Sequence, residues 1–300
     1  MKVFLTGATG FVGRELLATL VEAGISVRCL VRPGSESRLP ALPGVEIHMG
    51  DATRPDSLTG GLSGCQAVIN LIGIIREFAG RGITFEKMHV EATGNLVAAA
   101  QEQGIKRFVQ MSANGSRPAA VTDYHKTKWR AEEIVRNSEL DWTIFRPSLI
   151  YGPHDEFVNM LADLLRKLPV MPVLGNGRYR LQPVSVGNVA RSFALALSKP
   201  DSIGQVFHCG GPKQISYNEV LDTIGKVLGK PKVRKLHHPL LLMRPAIRLF
   251  EGFTFFPITS GQLQMLLEEN CCDPEPWQHF FGIKAQSFEE GIASYLNKGR

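Results

Sequence analysis

Lys2-Val3-Phe4-Leu5-Thr6-Gly7-Ala8-Thr9-Gly10-Phe11-Val12-Gly13 decides how this chain is read. A short apolar run, a strand over 2–5, ends in three glycines spaced GxxGxxG. A helical pattern over 10–23 follows, with Phe11, Val12, Leu16, Leu17 and Leu20 at helical intervals. Strand, glycine turn and helix form the context in which such a motif carries meaning. Gly7 permits the tight turn, Gly10 lets a pyrophosphate approach the backbone, and Gly13 lets the helix pack closely. The first amides of the helix and its positive dipole end then hold the phosphates. Gly7, Thr9, Gly10, Phe11, Val12 and Gly13 are the expected dinucleotide-binding residues.

Working outward, the pattern repeats. Apolar runs at 27–31, 45–49, 67–71, 107–111 and 142–145 read as strands, and 85–102 and 123–138 read as helices. Alternating Val- and Ile-rich strands and helices imply an α/β protein with a Rossmann-type, doubly wound parallel sheet covered on both faces. Past Gly152 the rhythm breaks at Pro153, Pro169, Pro172, Gly175, Gly177 and Pro183. Residues 1–152 are read as the dinucleotide-binding domain, and 183–211 return to it through a helix at 188–199 and a strand at 205–209. Residues 153–182 and 212–300 are read as a smaller, mostly helical lobe for substrate or partner.

The end of the second strand selects the cofactor. An acidic residue there pairs with a ribose 2′-hydroxyl, whereas an arginine suits a 2′-phosphate. The sequence reads Val31-Arg32-Pro33-Gly34, so Arg32 favours NADP(H), with NAD(H) as the alternative. Thr9 and Ser35 are secondary contacts. Gly50 and Asp51, then Ala52, follow the third strand, where a carboxylate is expected to accept from an adenine amino group. Leu71, Ile72 and Gly73 follow the fourth strand, where Gly73 lets backbone lie against the cofactor. Pro147, just past the strand at 142–145, completes the expected cofactor-binding set.

Tyr124 and Lys128 are four residues apart on a helix and share a face. An ammonium beside a phenol favours the phenolate, so the pair is expected to exchange a proton with a substrate hydroxyl or carbonyl.

The order of these motifs resembles the extended or atypical branch of the short-chain dehydrogenase/reductase superfamily, including its epimerase/dehydratase-like members. Arg146-Pro147-Ser148-Leu149-Ile150-Tyr151-Gly152-Pro153 and Gln182-Pro183-Val184-Ser185-Val186-Gly187-Asn188 extend the match over about two thirds of the chain. Within the superfamily the chain is similar to the group containing the nucleotide-binding accessory subunit of respiratory complex I. Asn70-Leu71-Ile72-Gly73, Tyr124–Lys128, Gln182-Pro183-Val184 and the stretch from Thr259 to Asn270 carry that closer match. The resemblance implies tight NADP(H) binding and two alternatives: an oxidoreductase or epimerase/dehydratase acting on a carbonyl or alcohol, or a catalytically weak structural or assembly subunit. It departs from active relatives in two places. The Ser or Thr that orients the substrate oxygen in those relatives falls on Ser112 or on Asn114 here, which makes these two the expected orienting residues, and Asn188 stands where Asp is common.

The formal charge of +6 is a mild excess, without the basic runs of a nucleic-acid-binding chain. Five cysteines at irregular spacing imply neither a disulfide framework nor a metal site. Met1 runs straight into the first strand, so a cytoplasmic protein is expected, or one peripheral at the inner membrane face. The most apolar segment outside the sheet is 240–250, followed by Phe253, Phe255 and Phe256. Its preferred reading is a core helix of the smaller lobe. The alternative is an interfacial helix through which 240–257 touches a membrane or a respiratory complex.

Overall fold

The computed structural model describes residues 1–252 and 258–297. β1 (Lys2–Thr6) leads into α1 (Phe11–Glu22), β2 (Ser26–Val31), β3 (Val45–Met49), β4 (Ala67–Asn70), α2 (Ala92–Glu102), β5 (Arg107–Met111), α3 (Asp123–Arg136) and β6 (Asp141–Pro147). Next come β7 (Ile150–Tyr151), α4 (Glu156–Lys167), β8 (Met171–Leu174), β9 (Arg180–Leu181), β10 (Val184–Ser185), α5 (Val186–Ala196) and β11 (Gln205–Cys209). The chain continues through β12 (Ile215–Ser216), α6 (Tyr217–Val227), β13 (Lys235–His238), α7 (Leu240–Phe250), α8 (Ser260–Leu267), α9 (Glu275–Phe281) and α10 (Phe288–Leu296).

Seven strands form one sheet in the order β11-β6-β5-β4-β1-β2-β3, and every pairing in it is parallel. Parallel strands have no hairpin route, so helices must cross over both faces. Alternation along each strand shows this directly. Val3, Leu5, Ala67, Ile69, Val109 and Phe145 face α1 and α5, packing on Leu16, Leu17, Leu20, Val189 and Phe193. Phe4, Val68, Phe108 and Ile144 face the opposite layer, meeting Ala92, Leu96, Ala100 and Val135 of α2 and α3. The doubly wound parallel sheet expected from the sequence is the observed fold.

Strand order reverses between β1 and β4, which opens a crevice at their carboxyl ends. Thr6 pairs with Asn70 in register at that edge. A buried polar cluster fixes it. Thr6 Oγ1 donates to Asn70 Oδ1 at 2.7 Å, and Asn70 Nδ2 donates to Thr93 Oγ1 at 3.1 Å and Gln110 Oε1 at 3.0 Å. The amide of Ile72 also donates to Asn70 Oδ1, at 3.1 Å. One side chain thus ties β1, β4, β5 and α2 together where the site lies. Its buried polar atoms are all satisfied, as a low-dielectric interior requires.

A separate hydrophobic cluster is built by Val158, Leu161, Leu165, Val173, Val220, Leu221, Ile224 and Ile292 from α4, β8, α6 and α10. Within 212–300, α9 packs elsewhere: Trp277 and Phe281 join the sheet cluster against Phe145 and Phe207. The helix expected over 85–102 opens as a π-helical turn, Glu86–Glu91, before α2 begins.

The reading of 240–250 as a core helix is overturned. Ile247 is the buried residue of α7, while Leu241, Leu242 and Leu249 are 83%, 70% and 71% exposed. Helical periodicity shows that a face is apolar, but not whether another element covers it. Phe253, Phe255 and Phe256 lie outside the described residues.

Candidate functional site

The glycine loop sits at the switch crevice. Gly7 has φ +74°, a left-handed conformation that favours glycine, and a Cβ there would stand 3.1 Å from the backbone of Leu71. A Cβ at Gly13 would lie 2.1 Å from the carbonyl oxygen of Gly7 and 2.7 Å from Ala8 Cα. Gly13 therefore lets α1 press on the loop itself. The loop closes with Gly10 N donating to Gly7 O at 3.0 Å. Gly10 is the N-cap of α1 and no side chain caps this end. The first amides of the helix, normally capped by Ser, Thr, Asp or Asn, are left for another acceptor. An uncapped helix start behind a glycine cradle fits a dinucleotide pyrophosphate.

The remaining expected cofactor residues stand at or just past the ends of β2, β3, β4 and β6. Arg32 is exposed just past β2 and makes no ion pair among the described residues. Asp51 uses Oδ1 to accept from the amide and the hydroxyl of Thr53 at 2.9 and 2.8 Å. Ala52 and Leu71 are buried, and the carbonyl of Ala52 accepts from Asn95 Nδ2. The Pro147 carbonyl accepts from Asn114 N.

Tyr124 and Lys128 lie on α3, whose N-cap Thr122 accepts from His125 N. Lys128 is 2% exposed. Its ammonium donates to the carbonyls of Ile72 at 3.0 Å and Met111 at 3.2 Å, linking the ends of β4 and β5. Burial, partly offset by Glu132, pushes its pKa down to about 8. Tyr124 is held edge-on by Phe85, His89 and His125. Burial pushes its phenol up to about 12. The phenolate expected from the four-residue spacing is therefore not favoured. Desolvation of Tyr124 outweighs the effect of an ammonium already engaged by two carbonyls.

His89 is a residue that sequence reasoning missed. It sits in the π-helical turn, 1% exposed. Its Nε2 accepts from Ile74 N at 3.1 Å, so Nδ1 carries the proton and donates to Thr127 Oγ1 at 2.9 Å. Burial, and then the Lys128 ammonium, lower its pKa to about 2. The ring is neutral and fixes the 72–74 loop against α3. No local signal marks it, since a lone histidine in a helical pattern reads equally well as surface or core.

The structure separates Ser112 from Asn114. Asn114 Nδ2 donates to Asn270 Oδ1 and the Cys271 carbonyl, both at 3.0 Å, and its Oδ1 accepts from His208 Nδ1 at 2.9 Å. Its amide thus holds the C-terminal segment to β11. Ser112 Oγ donates to Ser116 Oγ at 3.2 Å and keeps acceptor capacity. The same C-terminal segment brings Glu268 to the wall of the site, 3.7 Å from His125 Nδ1 and 3.6 Å from Arg117.

Residues 7–159 match the family described as NAD(P)H-binding. The chain is 30% identical over 266 residues to NADH dehydrogenase (ubiquinone) 1 alpha subcomplex subunit 9, mitochondrial, of Arabidopsis thaliana, covering 86% of this chain and 66% of that protein. This chain therefore spans just under two thirds of that relative's length. It is 29% identical over 252 residues to a ceramide reductase of Caulobacter vibrioides, covering 82% of this chain and 76% of the relative. The fold superposes on a UDP-glucose 4-epimerase from Thermus thermophilus, solved with NAD, with a TM-score of 0.78, 19% identity and full coverage of both chains. Its glycine cradle, its switch-point crevice and these likenesses agree, and the chain belongs to the NAD(P)H-binding family on a fold of the extended short-chain dehydrogenase/reductase type.

Proposed function

We propose that the protein is an NADP(H)-dependent oxidoreductase acting on a carbonyl or alcohol. The observation that carries this reading is the convergence of the uncapped start of α1, Gly73 and the Tyr124–Lys128 pair at one end of the sheet. The first amides of α1 would hold the pyrophosphate, Arg32 the 2′-phosphate and Asp51 the adenine amino group. Lys128 would hold the nicotinamide ribose. The bound nicotinamide supplies or accepts the hydride. A phenol near 12 is fully protonated at neutral pH, which suits Tyr124 to give its proton to a substrate carbonyl oxygen in the reducing direction. Ser112, rather than Asn114, whose amide is fully engaged, is the group with a free lone pair to orient the substrate oxygen. A reductase among the relatives favours this direction.

A second reading is supported by the plant relative, whose name is that of a complex I subunit. In it the bound nucleotide stabilises the fold by mass action, and the exposed segment around 240–250 serves attachment at the inner face of a membrane. No described helix is long and apolar enough to cross a membrane.

Tyr124→Phe separates the readings. The enzyme reading expects NADPH oxidation, screened over ketones and quinones, to be lost while nucleotide affinity is kept. Bound NADPH that no carbonyl ever consumes, in the unaltered protein, favours the structural role.

A further inference from the structure

Residues 226–250 carry seven Lys or Arg, two His and no Asp or Glu, in a chain whose formal charge is only +6. The rest of the molecule is close to neutral, so the positive charge is a local feature. Two of these cations are paired, Lys226 with Glu289 and Lys235 with Asp222. Lys230, Lys232, Arg234, Arg244 and Arg248 make no ion pair among the described residues. Lys226, Lys230, Lys232 and Lys235 surround a concavity of about 580 Å³ between the end of α6 and β13, with Asp222 at its edge.

The same segment exposes large apolar side chains. Leu236 is 55% exposed on β13, which runs through Pro239 directly into α7. On α7, Leu241, Leu242, Pro245 and Leu249 fall on one arc at helical spacing, and Ile247 points to the other side, into the protein. Arg248 borders the arc. Leu240 anchors the start of the helix against Gly175, and the Glu251 carbonyl just past its end accepts from Arg76 Nη2 at 2.7 Å.

From this placement we propose that the 226–250 face docks on the surface of an anionic lipid bilayer, with Leu241, Leu242 and Leu249 entering the acyl boundary and the unpaired cations meeting headgroup phosphates. Exposed leucines rimmed by arginines match an interfacial helix, whose cationic heads stay at the headgroup level. A second copy of the chain is a poor occupant, because a symmetric contact would set these uncompensated cations against themselves. The bilayer supplies both the apolar layer and the negative charge. Arg76 lies three residues beyond Gly73, so docking would bring the membrane beside the mouth of the nucleotide site. The inference rests on the attachment surface named in the second reading above. It does not depend on turnover.

The test is co-sedimentation of the full chain with vesicles of phosphatidylcholine alone and with vesicles containing phosphatidylglycerol. Binding to the anionic vesicles only, weakening with salt, is expected. Each cation removed near the surface should weaken it roughly fivefold, so Lys230→Glu, Lys232→Glu and Arg234→Glu together should abolish it. Leu241→Asp with Leu242→Asp should also abolish binding, while retained NADPH affinity shows that the variants fold. The proposal is overturned by absence of binding, by equal binding to neutral vesicles, or by binding that survives the leucine substitutions. It is also overturned if those substitutions instead dissolve a soluble oligomer, which would make the face a protein interface. Failure of NADPH binding in the unaltered chain would sink the nucleotide reading and leave the vesicle result standing.

Discussion

Lys128 occupies the space that a side chain at residue 73 would need: a Cβ on Gly73 would stand 2.8 Å from Lys128 Nζ. The backbone after β4 and the ammonium on α3 are therefore in direct contact, and each sets the position of the other. Gly73→Ala is expected to push the ammonium off the Ile72 and Met111 carbonyls, at a cost of about 1–3 kcal/mol in folding stability. NADPH affinity should fall about tenfold, as for one lost charge-assisted hydrogen bond. Lys128→Met should lower it similarly. Fluorescence titration with NADPH checks both, and unchanged affinity in both variants would remove Lys128 from the nucleotide site.

Arg32 stands exposed just past the end of β2 and makes no ion pair among the described residues. Arg32→Glu should weaken NADPH by about tenfold to a hundredfold, through loss of a charge-assisted contact and added repulsion. NADH affinity should hold or improve, because a carboxylate can accept from a ribose hydroxyl. Paired titrations with the two nucleotides read this out. An unaltered ratio of affinities would assign Arg32 to solvent.

Asn70 satisfies partners on β1, β5 and α2 as well as the Ile72 amide. Asn70→Ala leaves Thr6, Thr93 and Gln110 short of partners in a fully buried setting. A loss of about 3 kcal/mol is expected, since unsatisfied buried polar groups cost on the order of 1–3 kcal/mol each and neighbours recover part. Thermal or urea unfolding measures it. A cost near that of an exposed substitution would show that water enters the cluster.

Acid should destabilise the fold through histidines held neutral. His89 is lowered to about 2, and His125 and His208 are lowered too, in each case chiefly by burial. The unfolded chain binds a proton at these residues near pH 6.5 and the folded chain does not. Their contribution is thus intact above about pH 6.5 and declines as pH falls below it. At pH 5, His89 alone accounts for about 2 kcal/mol. Unfolding midpoints measured from pH 7.5 to 5 should fall, and His89→Asn, whatever its cost at pH 7.5, should flatten the slope. A slope identical in the variant would contradict the neutral, buried ring.

Much of the candidate site's local geometry was readable because its determinants are local. The register from Lys2 to Gly13 carries strand, turn and helix within a dozen residues, and the close approaches at Gly7 and Gly13 follow from that loop's own backbone. The Tyr124–Lys128 spacing is equally local, and it places both on α3. Their electrostatics were not local. Burial raised the phenol, and the carbonyls of Ile72 and Met111, 56 and 17 residues away in the chain, engaged the ammonium. Asn114 illustrates the same limit: its partner Asn270 is 156 positions distant. Nothing near Asn114 announces that contact.

By itself the sequence determined the parallel sheet and a glycine cradle suited to a nicotinamide dinucleotide, because strand pattern, turn conformation and helix dipole depend on neighbours along the chain. The tertiary structure decided which side chains lose water and which keep it. Burial neutralised His89 and bound Asn114 into a clasp, and lack of cover left the leucines of α7 in solvent. Desolvation belongs to the assembled packing, so a pattern of residue types could not state it in advance.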